Sequence, residues 1–190
     1  VLNAGGMPES FETNRFGVEL QFASQLFGHF LLARKLLAAG KLKPKARIVW
    51  VTSGGMYLKA LDAKTVLHNS RYDKVATYAN VKRAQVELLP YFARTFPEQL
   101  VTAMHPGWAA TPGVANSIPG FSRLMQKRLR TPREGADTIL WLLSTAKPLE
   151  SGGLYFDRRR VTEHLLWYTR GRTQDVRKLQ ELLEKFSREV

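Results

Sequence analysis

Tyr78 and Lys82 stand four residues apart, so in a helix both side chains leave the same face. An ammonium beside a phenol favours the phenolate and lowers its pKa. A phenol tuned in this way can act as a general acid or base. Of the six tyrosines, only Tyr78 has a lysine four residues on, although the spacing alone also fits an ordinary helix face. Ser53 sits in Val51-Thr52-Ser53-Gly54-Gly55, where a serine is either a turn former or a site residue at a strand end. Two further segments read the same way. His105-Pro106-Gly107-Trp108-Ala109-Ala110-Thr111 leaves a strand, and Val1-Leu2-Asn3-Ala4-Gly5-Gly6 breaks from one into a glycine turn. All are predicted to converge at the carboxyl edge of a parallel sheet, where open α/β sheets bind ligands.

The elements that must position these residues alternate short apolar runs with helical patterns, as in a parallel sheet covered by helices. Phe22, Leu26, Phe27, Phe30 and Leu31 recur at helical spacing, predicting one long helix from about Phe16 to Leu37 with Gly40 as its stop. Ala46–Val51 reads as a buried strand and Leu100–Met104 as the next. A polar connection without period from Met56 leads to a helix over Thr77–Thr95 that must kink or break at Pro90. The segment His105–Gly120 is long for a connection and reads as a functional loop, with Trp108, Ile118, Phe121 and Leu124 suggesting either an apolar lid or ordinary loop packing. Thr131-Pro132-Arg133-Glu134 is a complete capping box before a helix carrying Ile139, Leu140, Leu142 and Leu143. Gly153–Phe156 is a fourth short strand, after which Asp157 and three arginines leave the sheet. An amphipathic helix from about Thr173, with Val176, Leu179, Leu183 and Phe186 on one side, closes the sequence. The division expected is 1–160 as the sheet domain and 161–190 as a C-terminal extension.

Composition removes several classes. The 190 residues are 44% apolar and 24% charged, which suits a globular chain and neither a disordered nor a collagen-like one. Without cysteine there is no disulfide framework, thiolate zinc site, iron–sulfur cluster or cysteine nucleophile. His29, His68, His105 and His164 lack metal-ligand spacing, and neither H-E-x-x-H nor G-x-S-x-G occurs. His29 reads as a packed histidine and His105 as one that satisfies backbone groups in its loop. The longest uncharged stretch, Leu100–Ser122, is broken by three Pro-Gly pairs and does not read as a membrane span. With no signal-peptide order either, the protein is expected to be intracellular, cytoplasmic or mitochondrial, and not secreted.

Lys and Arg number 29 against 16 acids, a net charge of +13, which favours polyanionic partners. The basic clusters Arg34–Arg47, Arg123–Arg133 and Arg158–Arg160 carry no interleaved aromatics or nucleic-acid-binding signature. That argues against specific nucleic-acid binding; most of the charge reads as a solvated face, with weak docking to an anionic membrane, a ribonucleoprotein or a large organellar assembly as the other reading.

In this order, an Asn-Ala-Gly strand end, a strand-end serine, Tyr-x-x-x-Lys and a Pro-Gly loop resemble the short-chain dehydrogenase/reductase family. Val51–Met56, Tyr78–Arg83, Met104–Val114 and Gly135–Leu142 look most like its member 12 subgroup. The resemblance implies the C-terminal portion of a Rossmann-like, doubly wound parallel sheet in an α/β/α sandwich, truncated at its N-terminus. It implies an NAD- or NADP-dependent interconversion of an alcohol and a carbonyl. By that resemblance Tyr78 donates a proton to the carbonyl oxygen, Ser53 hydrogen-bonds that oxygen, and Lys82 holds the ribose hydroxyls and depresses the Tyr78 pKa. Asn3, Ala4 and Gly5 flank the adenosine side of the cofactor, while Pro106, Gly107 and Thr111 cover its nicotinamide end.

Two departures accompany the resemblance. Gln25 stands where the family has an asparagine whose backbone holds a relay water in a local helix distortion. The Gly-rich phosphate turn and the strands around it are not in this sequence, so a fragment, or a shortened homologue completed by another chain, is expected, and no activity from these 190 residues alone. A homo-oligomer fits the same expectation, and an inactive accessory subunit of a larger assembly is the alternative to an enzyme.

Overall fold

The computed structural model describes residues 1–109, 129–170 and 172–189. Its centre is a sheet in the order β1 (Arg47–Val51), β2 (Leu100–Met104), β3 (Gly153–Phe156), β4 (Arg159–Arg160). The first three strands are parallel, with Val49 opposite Thr102 and Ala103 opposite Leu154. Strand alternation sorts their side chains onto two faces. Ile48, Trp50, Val101, Ala103 and Leu154 join one core, whereas Val49, Val51, Met104 and Tyr155 join the other. Being apolar on both faces, the strands read as continuous hydrophobic runs, as buried parallel strands do. Leu2 adds a parallel bridge to Trp50 on the free side of β1, its N–H meeting the Val49 carbonyl at 2.8 Å.

The larger core is closed by helices α1 (Leu20–Phe22), α2 (His29–Ala38), α3 (Lys74–Glu87), α4 (Leu89–Thr95) and, further on, α6 (Thr173–Glu189). Helix α5 (Pro132–Ser144) covers the other face through Leu142. Trp50 stacks on Phe92 at 4.5 Å with the rings 3° from parallel, so one indole locks β1 to α4. The chain is thus a partial Rossmann-like α/β/α sandwich.

The long helix predicted from Phe16 begins at Leu20. Asn14 takes the N–H groups of Phe16 and Val18 into a turn, and the Glu19 carboxylate caps Phe22 N at 3.0 Å. This helix is also not continuous: Ala23–Gly28, between α1 and α2, is π-helical. Helix α3 starts at Lys74, not near Thr77, because Asp73 caps it by accepting from Ala76 N at 2.6 Å. The break predicted at Pro90 is real, and the proline occupies the first turn of α4, where its missing N–H is not needed. The capping box at Thr131 is complete, with Thr131 N donating to Glu134 at 2.7 Å and Glu134 N to Thr131 Oγ1 at 3.2 Å.

The arginines after Asp157 do not leave the sheet as expected. Asp157 and Arg158 take left-handed φ values of 48° and 59°, the geometry of a two-residue hairpin turn. Arg159–Arg160 then return antiparallel to Tyr155–Phe156. Most of the long loop, including Thr111, Ile118, Phe121 and Leu124, lies outside the described residues.

The segment after residue 160 reaches the main core, since Leu179, Leu183 and Phe186 are buried there and the Phe186 ring meets Phe27 edge-on at 5.6 Å. Leu183→Ala is therefore expected to lower unfolding free energy by about 2–4 kcal/mol, measured by urea denaturation. A loss below about 0.5 kcal/mol would mean that α6 is dispensable to the core.

Candidate active site

Strand β1 and helix α3 are clasped at their ends. Lys82 Nζ donates to the Val51 carbonyl at 2.9 Å, and Thr52 Oγ1 donates to the Lys82 carbonyl at 3.0 Å. Lys82 is only 3% exposed. Burial disfavours its charged form and brings its pKa down to about 7. One turn earlier on the same helix face, Tyr78 presents its ring 5.3 Å from the Lys82 nitrogen. Ser53 is the residue after the clasp; its hydroxyl accepts Gly55 N at 3.3 Å, capping the short 3-10 turn Gly54–Leu58. The serine thus proves to be both turn former and neighbour of Tyr78.

The phenol does not behave as the Tyr-x-x-x-Lys spacing suggests. Its pKa is raised, not lowered: burial dominates, and the Ser53 hydroxyl, close enough to act on it, pulls only partly the other way. Lys82 lends little help because the same burial discharges its amine near neutrality. In the unliganded chain Tyr78 is a neutral acid.

Gln25 lies in the π-helical turn, 1% exposed, and its side-chain amide donates to the Gly6 carbonyl at 2.8 Å. A Cβ on Gly5 would come within 2.6 Å of this side chain. Glycine is therefore required there by close approach, and Gln25 fixes the Asn3-Ala4-Gly5-Gly6 turn from behind. Such π turns leave backbone groups outside the regular ladder. Here the Gln25 carbonyl accepts from Gln85 Nε2 at 2.8 Å.

The packed-histidine reading of His29 is met by its edge-on contact with Trp50 at 5.7 Å. Neither ring nitrogen has a well-aligned hydrogen-bond partner among the described residues. Burial, then the nearby Lys82 charge, brings its pKa to about 4, with the Ala4 and Gln25 backbones opposing. Asn3, Ala4 and Gly5 themselves are exposed at the strand end.

The Pro-Gly loop reaches the same edge. Most of the loop whose backbone His105 is expected to satisfy lies outside the described residues. The ring stacks on Phe156 at 4.3 Å and meets Tyr57 edge-on at 5.7 Å, its Nδ1 has no partner among the described residues, and burial lowers its pKa to about 4. Gly107 has φ +70°, and a Cβ there would lie 3.1 Å from Arg130 Nε. Arg130 in turn covers the Phe156 ring and grips Asp157 with both nitrogens, at 2.5 and 2.7 Å. Pro106 and Gly107 are half-buried, while Thr111 is beyond the described residues.

Sequence reasoning missed two residues. Arg83, fully buried beside Lys82, donates to the carbonyls of Met56 (3.0 and 2.6 Å), Lys59 (3.2 Å) and Glu163 (2.8 Å). It thereby holds the turn after Ser53 to the C-terminal segment. Gln85 supports the π turn. Their signal was available: with Lys82 they make three polar residues on a helix stretch, Val81–Val86, that is buried throughout.

This is the arrangement of a Rossmann-like dehydrogenase/reductase fold, and the comparisons with known proteins agree. No protein-family model matches the chain. It is 36% identical over 189 residues to the human protein "Dehydrogenase/reductase SDR family member 12", covering 97% of this chain and 60% of that one. It is 33% identical over 183 residues to the zebrafish (Danio rerio) "Polyprenol dehydrogenase", covering 86% of this chain and 54% of the relative. An uncharacterized protein of Mycobacterium paratuberculosis shares the fold, with a TM-score of 0.69 and 21% identity over 98% of this chain and 65% of its own. The chain belongs to the short-chain dehydrogenase/reductase family. It spans about 60% of the first relatives' length.

Because Lys82 is discharged in the folded chain but not in the unfolded one, the unfolded state binds more protons between pH ~7 and ~10.4. The contribution of Lys82 to stability therefore rises with pH across this window. Urea denaturation at pH 7 and pH 9 should show a gain with pH that Lys82→Met removes, and equal pH dependence in both proteins would refute the assignment.

Proposed function

We propose that this chain is the catalytic portion of an NAD- or NADP-dependent oxidoreductase that interconverts a lipophilic alcohol and its carbonyl. The observation that carries this reading is the gathering of Ser53, Tyr78 and a desolvated Lys82 at the carboxyl end of β1. The names of the relatives, dehydrogenases and reductases throughout the two reported above, support the reaction class. The word polyprenol in one of them, with Tyr57, His105, Trp108 and Phe156 near the edge, supports a lipophilic substrate. A cysteine-free chain suits an intracellular, reducing setting.

The residues present suit the ribose and nicotinamide end of such a cofactor. Lys82 has donors beyond the one given to Val51, and the exposed Asn3–Gly5 turn is held open by Gln25 beneath it. Pro106 and Gly107 follow the carboxyl end of β2. The chain has no glycine-rich phosphate turn, so the pyrophosphate end finds no match within these residues. When bound, the nicotinamide supplies or accepts the hydride.

For reduction, Tyr78 stays protonated in its buried setting and donates its proton to the carbonyl oxygen as hydride reaches the carbon. Ser53 donates a hydrogen bond to the same oxygen and steadies the charge that develops there. Acceptors arriving at Lys82 favour its ammonium, and that charge in turn eases loss of the Tyr78 proton. For oxidation the same proton returns from the alcohol to Tyr78.

In the full-length protein, Tyr78→Phe should lower kcat/KM for ketone reduction by about 10²-fold or more while leaving NADPH or NADH binding, followed by tryptophan fluorescence, unchanged. Ser53→Ala should reduce turnover with the same binding preserved. A Tyr78→Phe protein with wild-type turnover would overturn the reading.

A further inference from the structure

Four consecutive side chains face solvent although none is suited to it: Leu165, Leu166, Trp167 and Tyr168 are exposed at 64%, 38%, 84% and 47%. Single exposed apolar residues are ordinary, but a contiguous run marks a surface that meets something. This run is built, not slack. On one side Tyr57 Oη donates to the Thr162 carbonyl at 2.8 Å and the buried Arg83 to the Glu163 carbonyl at 2.8 Å. On the other, the buried Thr169 donates its hydroxyl to the Leu166 carbonyl at 2.7 Å and closes a 3-10 turn over Trp167–Thr169. The tip is thus held outward, with the Trp167 and Tyr168 rings edge-to-face at 6.0 Å.

Its surroundings choose among occupants. From Arg158 to Arg172 the chain has five arginines and one acid, Glu163. Arg158 and Arg160 are paired with Asp137 and Glu150, whereas Arg159 and Arg170 are exposed and have no salt-bridge partner among the described residues. The whole chain adds a net charge of +13. Trp and Tyr combine an apolar body with a polar edge and favour the bilayer interface, and arginines beside them are drawn to anionic headgroups. A small protruding tip offers too little area for a stable protein interface but suffices to insert at a bilayer boundary.

We propose that the Leu165–Tyr168 tip, flanked by arginines, docks the protein peripherally on an anionic phospholipid bilayer. Because Tyr57 and Arg83 tie the tip's base to the turn and helix that carry Ser53 and Lys82, docking sets the site beside the bilayer. That bilayer would be the source of its lipophilic alcohol. This last step rests on the function proposed above, but the docking itself does not.

The test uses the full-length protein and vesicles of phosphatidylcholine, alone or with about 30 mol% phosphatidylserine, at about 0.1 M salt, with no turnover needed. The wild type should co-sediment with the phosphatidylserine vesicles, and its tryptophan emission should be quenched by brominated acyl chains. Leu165→Ser/Trp167→Ser, which leaves net charge unchanged, should weaken that partition about tenfold or more, with the thermal melt unaltered. Equal partition of the two proteins would mean that diffuse charge does the binding. Absence of wild-type binding would also overturn the proposal, as would a variant whose only change is in self-association by gel filtration. Failure of the catalytic reading would appear separately, as an active Tyr78→Phe protein that still binds vesicles.

Discussion

The site depends on one buried amine. Lys82 is sealed against the last carbonyl of β1, while the Thr52 hydroxyl answers with a bond to the carbonyl of Lys82 itself. A lysine almost fully removed from water is costly unless its donors are met, so this reciprocal pair fixes where α3 crosses the strand. Once that crossing is set, Tyr78 falls one turn back over Ser53, and the turn after Ser53 is directed beneath Arg83. The same desolvation that makes the clasp specific lowers the Lys82 pKa to about 7 and raises that of the Tyr78 phenol.

Around this point a buried amide does the linking. Gln25, in the π-helical turn, reaches the Gly6 carbonyl, and Gly5 provides the space for its side chain. Its carbonyl is taken by Gln85, from the helix that carries Lys82. The two glutamines therefore link the strand-end turn, the interrupted helix and α3 into one hydrogen-bonded chain. His29 packs beside it, held neutral by burial and by Lys82.

Much of this could be read before the structure was seen. Sheet strands were legible because β1 is a β-branched and aromatic run and β2 a short, mostly apolar one. The Thr131 capping box and the Pro90 break are local chemistry that tertiary packing did not override. Boundaries were less legible: Asp73 capped α3 earlier than its apolar pattern suggests, and Glu19, a buried carboxylate, started α1 later. The hairpin at Asp157–Arg158 was hidden because two non-glycine residues adopt left-handed φ there. For the candidate site, the Tyr78–Lys82 spacing and the strand-end position of Ser53 pointed to three residues that the fold brings together. The direction of the Tyr78 shift was not legible, since it depends on how much water the fold excludes, a property of the whole packing and not of i to i+4 geometry.

Arg83 has a consequence for how the chain comes into being. Its guanidinium joins Met56 and Lys59, just after the Ser53 turn, to Glu163, and the core that backs the site is completed only by Leu179, Leu183 and Phe186. On a ribosome the amino-terminal segments emerge first, so strand β1, the Ser53 turn and α3 exist for some time with this cation's last acceptor not yet synthesised. An arginine cannot shed its charge while it waits. Until the segment carrying Glu163 follows, that arm of the guanidinium donates its hydrogen bond to water, so the turn after Ser53 is pinned to the later segment only once both have been made.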